Sequence, residues 1–282
     1  MTDGSVSGAS LQVLDLFSGI GGFSLGLERA GFRSIAFCEV DPFCRRVLAK
    51  HWPEVPIYDD VRSLTADRLA ADGLAGVDVV CGGFPCQDIS IAGEGVGLDG
   101  GRSGLWRDML RIVAEVRPRW VIIENVAVLR SRGLHAVMAA LDALGYVGEW
   151  HSIPATAVGA PHSRDRLWIV AHAERGGRHR LHERVEAGYM AAYPGWRGED
   201  GAQGAAPRDK RGRVPGPRPQ GRLPILGRIG GEWIAEPDVD RVAHGIPARV
   251  DRRRALGNAV VPQIVEVIGR AILSAEQETI HA

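Results

Sequence analysis

Short β-rich runs alternate with helical patterns between residues 11 and 172, and this alternation constrains the fold more than any other feature. The runs predict these strands: Leu11–Leu16, Ser34–Glu39, Val77–Phe84, Trp120–Val126, Arg166–His172 and a weaker one near Gly148–Ile153. Apolar residues at helical spacing predict these helices: Phe23–Ala30, Phe43–His51, Leu105–Val116 and His135–Leu144. Strands that alternate with helices favour a mainly parallel sheet covered on both faces, so we expect a doubly wound α/β fold.

The texture of the sequence changes after residue 172. Residues 173–240 are rich in Gly, Pro and Arg and show little periodicity, which indicates a small, irregular second domain or a long insertion. Helical periodicity returns at Pro262–Ala275, and we expect this helix to pack against the first domain. The predicted organisation is therefore a first domain over 1–172, a second over 173–240, and a hinge with a returning helix over 241–282.

Composition excludes several classes of protein. A chain of 282 residues with 45% hydrophobic content is neither disordered nor fibrous, because it can bury a large core. The N-terminal segment does not resemble a secretion signal, and we expect no run to approach the ~18 apolar residues of a membrane span. None of the four cysteines are spaced as C-x-x-C, which disfavours a disulfide framework and a metal site. We therefore expect a soluble, intracellular, cytoplasmic protein with reduced thiols.

The charge of the chain is unevenly distributed. Residues 175–228 carry twelve Lys and Arg against five Asp and Glu, a net charge of +7, although the whole chain has a formal net charge of zero. The rest of the chain carries 22 basic against 29 acidic residues, a net charge of −7. A concentrated basic segment suits phosphate binding, but it is also compatible with a solvated loop.

The first predicted strand ends in a glycine-rich turn, Asp15–Phe23, which reads D-L-F-S-G-I-G-G-F. Such turns let the backbone approach a ligand at the carboxyl end of a strand, where doubly wound sheets bind nucleotides. Glu39 ends the second strand and could accept hydrogen bonds from two ribose hydroxyls. A G-x-G-x-x-G fingerprint starting at Gly19 would need a third glycine where Ser24 stands, which disfavours a nicotinamide enzyme.

Chemically reactive side chains follow the next predicted strands. Cys86 stands in G-G-F-P-C-Q directly after an apolar strand, on a backbone stiffened by Pro85, and is the candidate nucleophile. Glu124 follows W-V-I-I in E-N-V, where a carboxylate must be partnered or functional. Arg164 and Arg166 stand at the start of another strand. Each has a plain structural alternative, such as a buried thiol or a helix-capping carboxylate.

These segments, together with G-N-A-V-V-P near residue 258, resemble in the same order the signature motifs of the DNA cytosine-5 methyltransferases of bacteria and phages. The resemblance covers residues 11–172 and about 254–275. It implies a Rossmann-like methyltransferase fold, S-adenosylmethionine as cofactor, and transfer of a methyl group to carbon 5 of a cytosine flipped out of duplex DNA. Residues 173–240 would then form the target-recognition domain. A monomer is expected, and a cognate restriction endonuclease could act separately.

The resemblance also implies roles for individual residues. Cys86, Glu124, Arg164 and Arg166 would handle the cytosine, with Cys86 attacking carbon 6. A second set would surround the cofactor: Phe17, Ser18, Gly19, Ile20, Gly21, Gly22, Phe23, Glu39, Val40, Asp60, Val61, Gly83, Phe84, Pro85, Leu105, Asn258, Ala259 and Val260. No metal ligands are implied.

Two departures from the family pattern and two rival functions remain open. His162 stands where the family has Gln, and residues 241–252 replace an arginine and glutamate block, so neither receives a role. A tRNA cytosine is a rival substrate, although the G-F-P-C-Q form and the basic insertion favour DNA. A catalytically inactive DNA-binding module is a rival to an enzyme, although every catalytic position is filled.

Overall fold

The computed structural model describes residues 10–85, 104–173 and 249–281. The strands in these ranges form one sheet in the order β3-β2-β1-β4-β5-β7-β6. They are β1 (Gln12–Leu16), β2 (Arg33–Cys38), β3 (Ile57–Tyr58), β4 (Val79–Gly82), β5 (Trp120–Val126), β6 (Tyr146–Pro154) and β7 (Asp165–Ala173). Strand β7 pairs antiparallel with both β5 and β6, whereas the pairs among β1 to β5 are parallel. The predicted doubly wound, mainly parallel sheet is confirmed.

Helices cover both faces of this sheet. They are α1 (Gly22–Ala30), α2 (Pro42–His51), α3 (Ala66–Ala71), α4 (Gly104–Val116), α5 (Leu129–Arg132), α6 (Leu134–Ala143), α7 (Arg249–Asn258) and α8 (Pro262–His281). Successive side chains of a strand point to opposite faces. Val121 and Ile123 of β5 therefore join one core cluster with α4 and α6, whereas Trp120 and Ile122 join another with α1 and α8.

The elements absent from the sequence prediction are short or polar. Strand β3 has two residues, helices α3 and α5 have six and four, and α7 is a polar helix that reads R-V-D-R-R-R-A-L-G-N. Apolar periodicity is the main sequence signal for a helix or a strand, and these segments show little of it. Helix α8 continues to His281, beyond its predicted end at Ala275.

Helix α8 packs closely on α1. A Cβ atom at Gly26 would lie 2.4 Å from the Pro262 carbonyl oxygen, and one at Gly269 would lie 2.8 Å from the Ala30 Cβ. Trp120 Nε1 donates to Glu276 Oε1 over 2.8 Å, which ties the far end of α8 to the sheet. These contacts place the C-terminal segment against the first part of the chain.

An 18-residue window within Arg254–Glu278 has a mean hydropathy of 1.3, which is apolar enough by composition to cross a membrane. Glu266 and Arg270 interrupt this stretch, so it does not contradict the expectation that no run approaches ~18 apolar residues. The high hydropathy reflects a core helix: Ile264, Val265, Ile268 and Ile272 are at most 1% exposed, packed in the cluster formed with α1.

The sheet gathers the predicted site residues at one edge. The parallel strands β1, β2, β4 and β5 end there, and the antiparallel β7 begins there. The chain leaves β1 towards β2 on one side and later returns to β4 on the other, which is the strand order at which doubly wound sheets bind ligands. The proposed target-recognition segment after Ala173 lies outside the described residues.

Candidate active site

The glycine-rich turn after β1 is held open by left-handed backbone conformations. Phe17, Gly19 and Gly21 have φ values of 54°, 55° and 85°. A Cβ at Gly21 would lie 2.5 Å from the Trp52 ring, which excludes any other residue there, whereas a Cβ at Gly19 would meet no atom within 4 Å. The Trp52 ring therefore fills the space beside Gly21, whereas the space beside Gly19 is open. A backbone that receives a ligand must have such an open side.

Glu39 lies directly against this turn. Its Oε2 accepts a hydrogen bond from the Gly19 N–H over 2.7 Å, and its Oε1 accepts one from the Asp41 N–H over 2.8 Å. Two carboxylate oxygens offer about four acceptor sites, so about two remain for hydroxyl groups of a ligand. The side chain of the neighbouring Val40 is 72% exposed, which is unusual for an apolar residue.

The segment after α7 closes the other side of the turn. A Cβ at Gly22 would lie 2.8 Å from Val260 Cγ2 and 3.1 Å from the Val260 carbonyl oxygen. Ala259 and Val260 are half-buried, and Asn258 is exposed. The predicted residues from the first turn and from the end of the chain therefore meet, although about 240 positions separate them.

The remaining predicted cofactor residues lie along the same edge. Val61 is buried in the core, and the Asp60 carboxylate pairs with the Arg62 guanidinium at 2.8 Å. Phe84 is buried against Trp106, with ring centroids 5.2 Å apart, while Leu105 is half-buried beside it. The acceptor oxygens of Glu39, the open turn at Gly19 and the exposed side chain of Val40 fit a nucleoside-containing cofactor.

Glu124 and Arg166 form an ion pair at the same edge. Arg166 Nε lies 2.9 Å from Glu124 Oε1, and the Glu124 side chain is only 8% exposed. Gly83, after β4, packs against this carboxylate, since a Cβ there would lie 2.9 Å from Glu124 Oε2. The structure thus brings three predicted residues from three strands together.

Burial dominates the electrostatics of Glu124. Desolvation raises its pKa to about 7, and the positive charges of Arg166 and Arg164 oppose this rise only in part. A carboxyl with such a pKa exists in both protonation states near neutral pH, so it can donate or accept a proton there.

Arg164 reaches a different part of the site. Its Nη1 donates to the carbonyl oxygen of Gly257, at the end of α7 and just before Asn258. Burial lowers the Arg164 pKa, and the neighbouring Arg166 adds to this effect. Arg164 therefore connects the Glu124 pair to the chain segment that carries Val260.

Sequence reasoning missed Asn125, the neighbour of Glu124. Asn125 is 4% exposed, and its amide group donates to the Phe84 carbonyl oxygen over 3.0 Å. Its Oδ1 accepts the Val126 N–H over 2.9 Å. The amide thereby holds the backbone that leads through Pro85 towards Cys86. A polar residue within a buried strand was the available signal.

A second buried carboxyl lies beneath the glycine turn and was not predicted either. Asp15 is fully buried, and its Oδ2 accepts a hydrogen bond from Ser24 Oγ over 2.8 Å. Desolvation raises its pKa to about 7, against the lowering effect of the Ser24 hydrogen bonds.

Cys86, the predicted nucleophile, lies outside the described residues; exposed Pro85 is the last described residue before it. The other cysteines, Cys38, Cys44 and Cys81, are buried free thiols. Burial raises the pKa of Cys38 to about 12 and that of Cys44 to about 11, so both stay protonated and are poor nucleophiles.

The sheet order, the glycine turn with its facing carboxylate and the buried Glu124 define a Rossmann-like fold with a candidate active site at the carboxyl ends of the parallel strands. The family model for C-5 cytosine-specific DNA methylases matches residues 11–189. The chain belongs to this family.

Curated relatives include Type II methyltransferase M2.BsuMI of Bacillus subtilis (strain 168), 37% identical over 169 residues, which are 57% of this chain and 42% of that protein. Type II methyltransferase M.CviJI of Paramecium bursaria Chlorella virus IL3A is 33% identical, with 57% and 43% covered. The match thus spans less than half of either relative.

Solved structures are similar as well. A structure described as a DNA modification methyltransferase encoded within an E. coli prophage has a TM-score of 0.50 and 29% identity, covering 58% of this chain and 47% of its own. The Dnmt2 methyltransferase of S. pombe has a TM-score of 0.50 at 21% identity, covering 60% and 51%, which supports the fold.

Proposed function

We propose that this protein transfers a methyl group from S-adenosylmethionine to carbon 5 of a cytosine in a specific duplex DNA sequence, through a covalent adduct between Cys86 and carbon 6. The observation that carries the proposal is the buried Glu124–Arg166 pair, in a chain of the C-5 cytosine-specific DNA methylase family. A carboxyl with a pKa near 7 suits a group that protonates a ring nitrogen.

The chemistry requires that the aromatic ring of cytosine be broken temporarily. The Cys86 thiolate donates its electron pair to carbon 6, while protonated Glu124 stabilises the charge that develops at ring nitrogen 3. S-adenosylmethionine, when bound, would supply the methyl group as an electrophilic sulfonium substituent: carbon 5 would form a bond to the methyl carbon as the bond from that carbon to sulfur breaks, which would leave S-adenosylhomocysteine. Carbon 5 then loses its proton to a base, and the Cys86 thiolate leaves with its bonding electrons, which restores the ring.

Arg166 would assist at two steps of this reaction. Its guanidinium, fixed beside Glu124, offers further N–H donors to the carbonyl of the base. Its positive charge would also favour the anionic thiolate over the thiol. Because carbons 5 and 6 are covered in stacked DNA, the cytosine must be flipped into the pocket, at a cost of about a few kcal/mol.

The cofactor would lie across the ends of β1, β2 and β3. The glycine turn and Glu39 would hold the ribose side, with Val40 and Val61 flanking the base. Gly22 and Val260 would close the pocket from the α7–α8 side. The free acceptor capacity of Glu39 and the open space above Gly19 support this placement.

We further propose that the basic segment 175–228 binds DNA phosphates and reads the target sequence, and that the protein acts as a modification enzyme, as the Type II names of its relatives suggest. A monomeric state, a cytoplasmic location and a separate cognate endonuclease remain predictions.

The test uses DNA that carries 5-fluorocytosine at the target. Fluorine cannot leave as a cation, so the Cys86 adduct should persist and survive denaturation. Cys86→Ala should form no adduct and transfer no labelled methyl group, while binding of S-adenosylhomocysteine stays near wild type. A variant that still methylates would contradict the covalent mechanism, and methylation of RNA in preference to DNA would contradict the proposed substrate.

A further inference from the structure

Arg111, on α4, makes an unusual number of hydrogen bonds to the backbone of a single turn. Its Nη2 donates to the Val61 carbonyl oxygen over 2.9 Å and to that of Arg62 over 3.4 Å. Its Nη1 donates to the Leu64 carbonyl oxygen over 2.9 Å. One guanidinium thus collects three carbonyl groups from the turn that follows β3.

Two carboxylates of α4 hold the guanidinium in place. Asp108, three positions before Arg111, lies 3.4 Å from Nη2, and Glu115, four positions after it, lies 3.0 Å from Nη1. Residues at these spacings lie on the same helix face. Glu115 also accepts the Ala66 N–H over 3.1 Å, at the start of α3. The Arg111 side chain is therefore oriented from its own helix and clamped to the neighbouring turn.

The 60–64 turn contains two residues that are expected around the cofactor, Asp60 and Val61. A third, Leu105, lies on the same helix as Arg111. If the ribose lies at Glu39 after β2, the base extends towards the end of β3, the next strand in the sheet. Arg111 then joins two walls of that pocket, the 60–64 turn and α4.

We propose that Arg111 is a positioning residue for the cofactor: it sets the distance between the 60–64 turn and α4 and so shapes the pocket for the base. Its hydrogen bonds among the described residues go to the 60–64 turn and to carboxylates of α4. Its planar fork of donors matches several carbonyls at once, which a lysine ammonium cannot do with the same geometry. This inference rests on the proposed function, since the ligand is S-adenosylmethionine.

The test compares Arg111→Met with Arg117→Met in the full chain. Arg117 is a matched control, because its Nη1 also donates to a backbone carbonyl, that of Leu144, over 2.6 Å, but away from the proposed pocket. Calorimetry measures the Kd of S-adenosylhomocysteine, and methyl transfer to DNA gives KM for S-adenosylmethionine and kcat. Thermal unfolding of each variant reports any general loss of stability.

Arg111→Met should raise the Kd and the KM by about tenfold or more and leave kcat at saturating cofactor within about twofold, since binding is weakened but the chemical step is not. Arg117→Met should leave both constants unchanged. Arg111→Lys should recover part of the lost affinity, and it keeps the test informative if the Met variant does not fold.

Wild-type affinity in Arg111→Met, or an equal loss in Arg117→Met, would overturn the positioning role. Failure of the wild-type protein to bind S-adenosylhomocysteine would instead overturn the proposed function, and the positioning role with it. The two failures are therefore distinguishable by the wild-type titration alone.

Discussion

Arg166 Nε lies 2.9 Å from Glu124 Oε1, although the two residues stand on different strands that run in opposite directions. The positive charge of Arg166 favours the ionised form of Glu124. Burial alone would keep this carboxyl neutral over a still wider pH range. The pKa of Glu124 remains raised to about 7, because desolvation outweighs the attraction of both arginines.

Glu124→Gln should lower the single-turnover rate of methyl transfer by about 100-fold or more, because an amide cannot deliver a proton to ring nitrogen 3. DNA affinity should change little, since the side chain keeps its shape. The wild-type rate should also lose a contribution above pH 7, where Glu124 deprotonates. That pH dependence should be absent in the variant. A rate near wild type would remove Glu124 from the mechanism.

Glu39→Ala should weaken binding of S-adenosylhomocysteine by roughly 10- to 100-fold, the loss expected when hydrogen bonds to a charged acceptor disappear. The variant also frees the Gly19 and Asp41 N–H groups that Glu39 now holds. Glu54→Ala, at an exposed acidic position, serves as the control. Unchanged affinity in calorimetry would refute a role for Glu39 in binding the ribose.

Asn125→Asp should reduce kcat by about tenfold or more, because a carboxylate cannot donate to the Phe84 carbonyl oxygen and would be repelled by it. The backbone before Cys86 would then lose its anchor. Urea unfolding measured alongside separates this effect from a general loss of stability. A wild-type kcat in a folded variant would show that the anchor is dispensable for catalysis.

Asp15 should make the stability of the protein depend on pH. The folded protein binds the Asp15 proton more tightly than the unfolded chain, whose pKa is near 3.8, so the free energy of unfolding should decrease as pH rises from 3.8 to about 7. Through Asp15, the free energy of unfolding should fall by roughly 3 kcal/mol between pH 5 and pH 8.

The difference between wild type and Asp15→Asn in urea unfolding at these two pH values measures that contribution, because Glu124, whose pKa is also raised to about 7, titrates in both proteins. Asp15→Asn should lack it, whereas Asp67→Asn, at an exposed position on α3, should keep it. Equal pH dependence in wild type and Asp15→Asn would show that Asp15 is not the titrating group.

Neutralising Arg208, Lys210, Arg211 and Arg213 together should weaken binding to all DNA sequences and flatten its dependence on salt. Each lost phosphate contact should lower the slope of log K against log salt concentration by roughly one unit. These residues lie outside the described part of the chain, so the prediction rests on charge alone. Cofactor affinity should be unchanged, and an unaltered salt slope would identify the cluster as a solvated loop.

The sequence by itself determined the alternation of strands and helices and the edge at which the site residues gather. Local periodicity predicts an element, and a residue that ends a parallel strand must lie at the carboxyl edge of the sheet. For that reason the sequence alone places Gly19, Glu39 and Glu124 at one edge of the sheet. Helix α7 escaped prediction because its mostly polar sequence carries no apolar periodicity.

Only the tertiary structure decided the direction and position of β7, and with them the pairing of Arg166 with Glu124. The same holds for Arg164 with Gly257, Asn125 with Phe84 and Arg111 with the 60–64 turn. Strand order and helix packing bring these partners together from distant positions. The raised pKa of Glu124 follows from burial, which is a property of that packing and not of the residues that flank it in sequence.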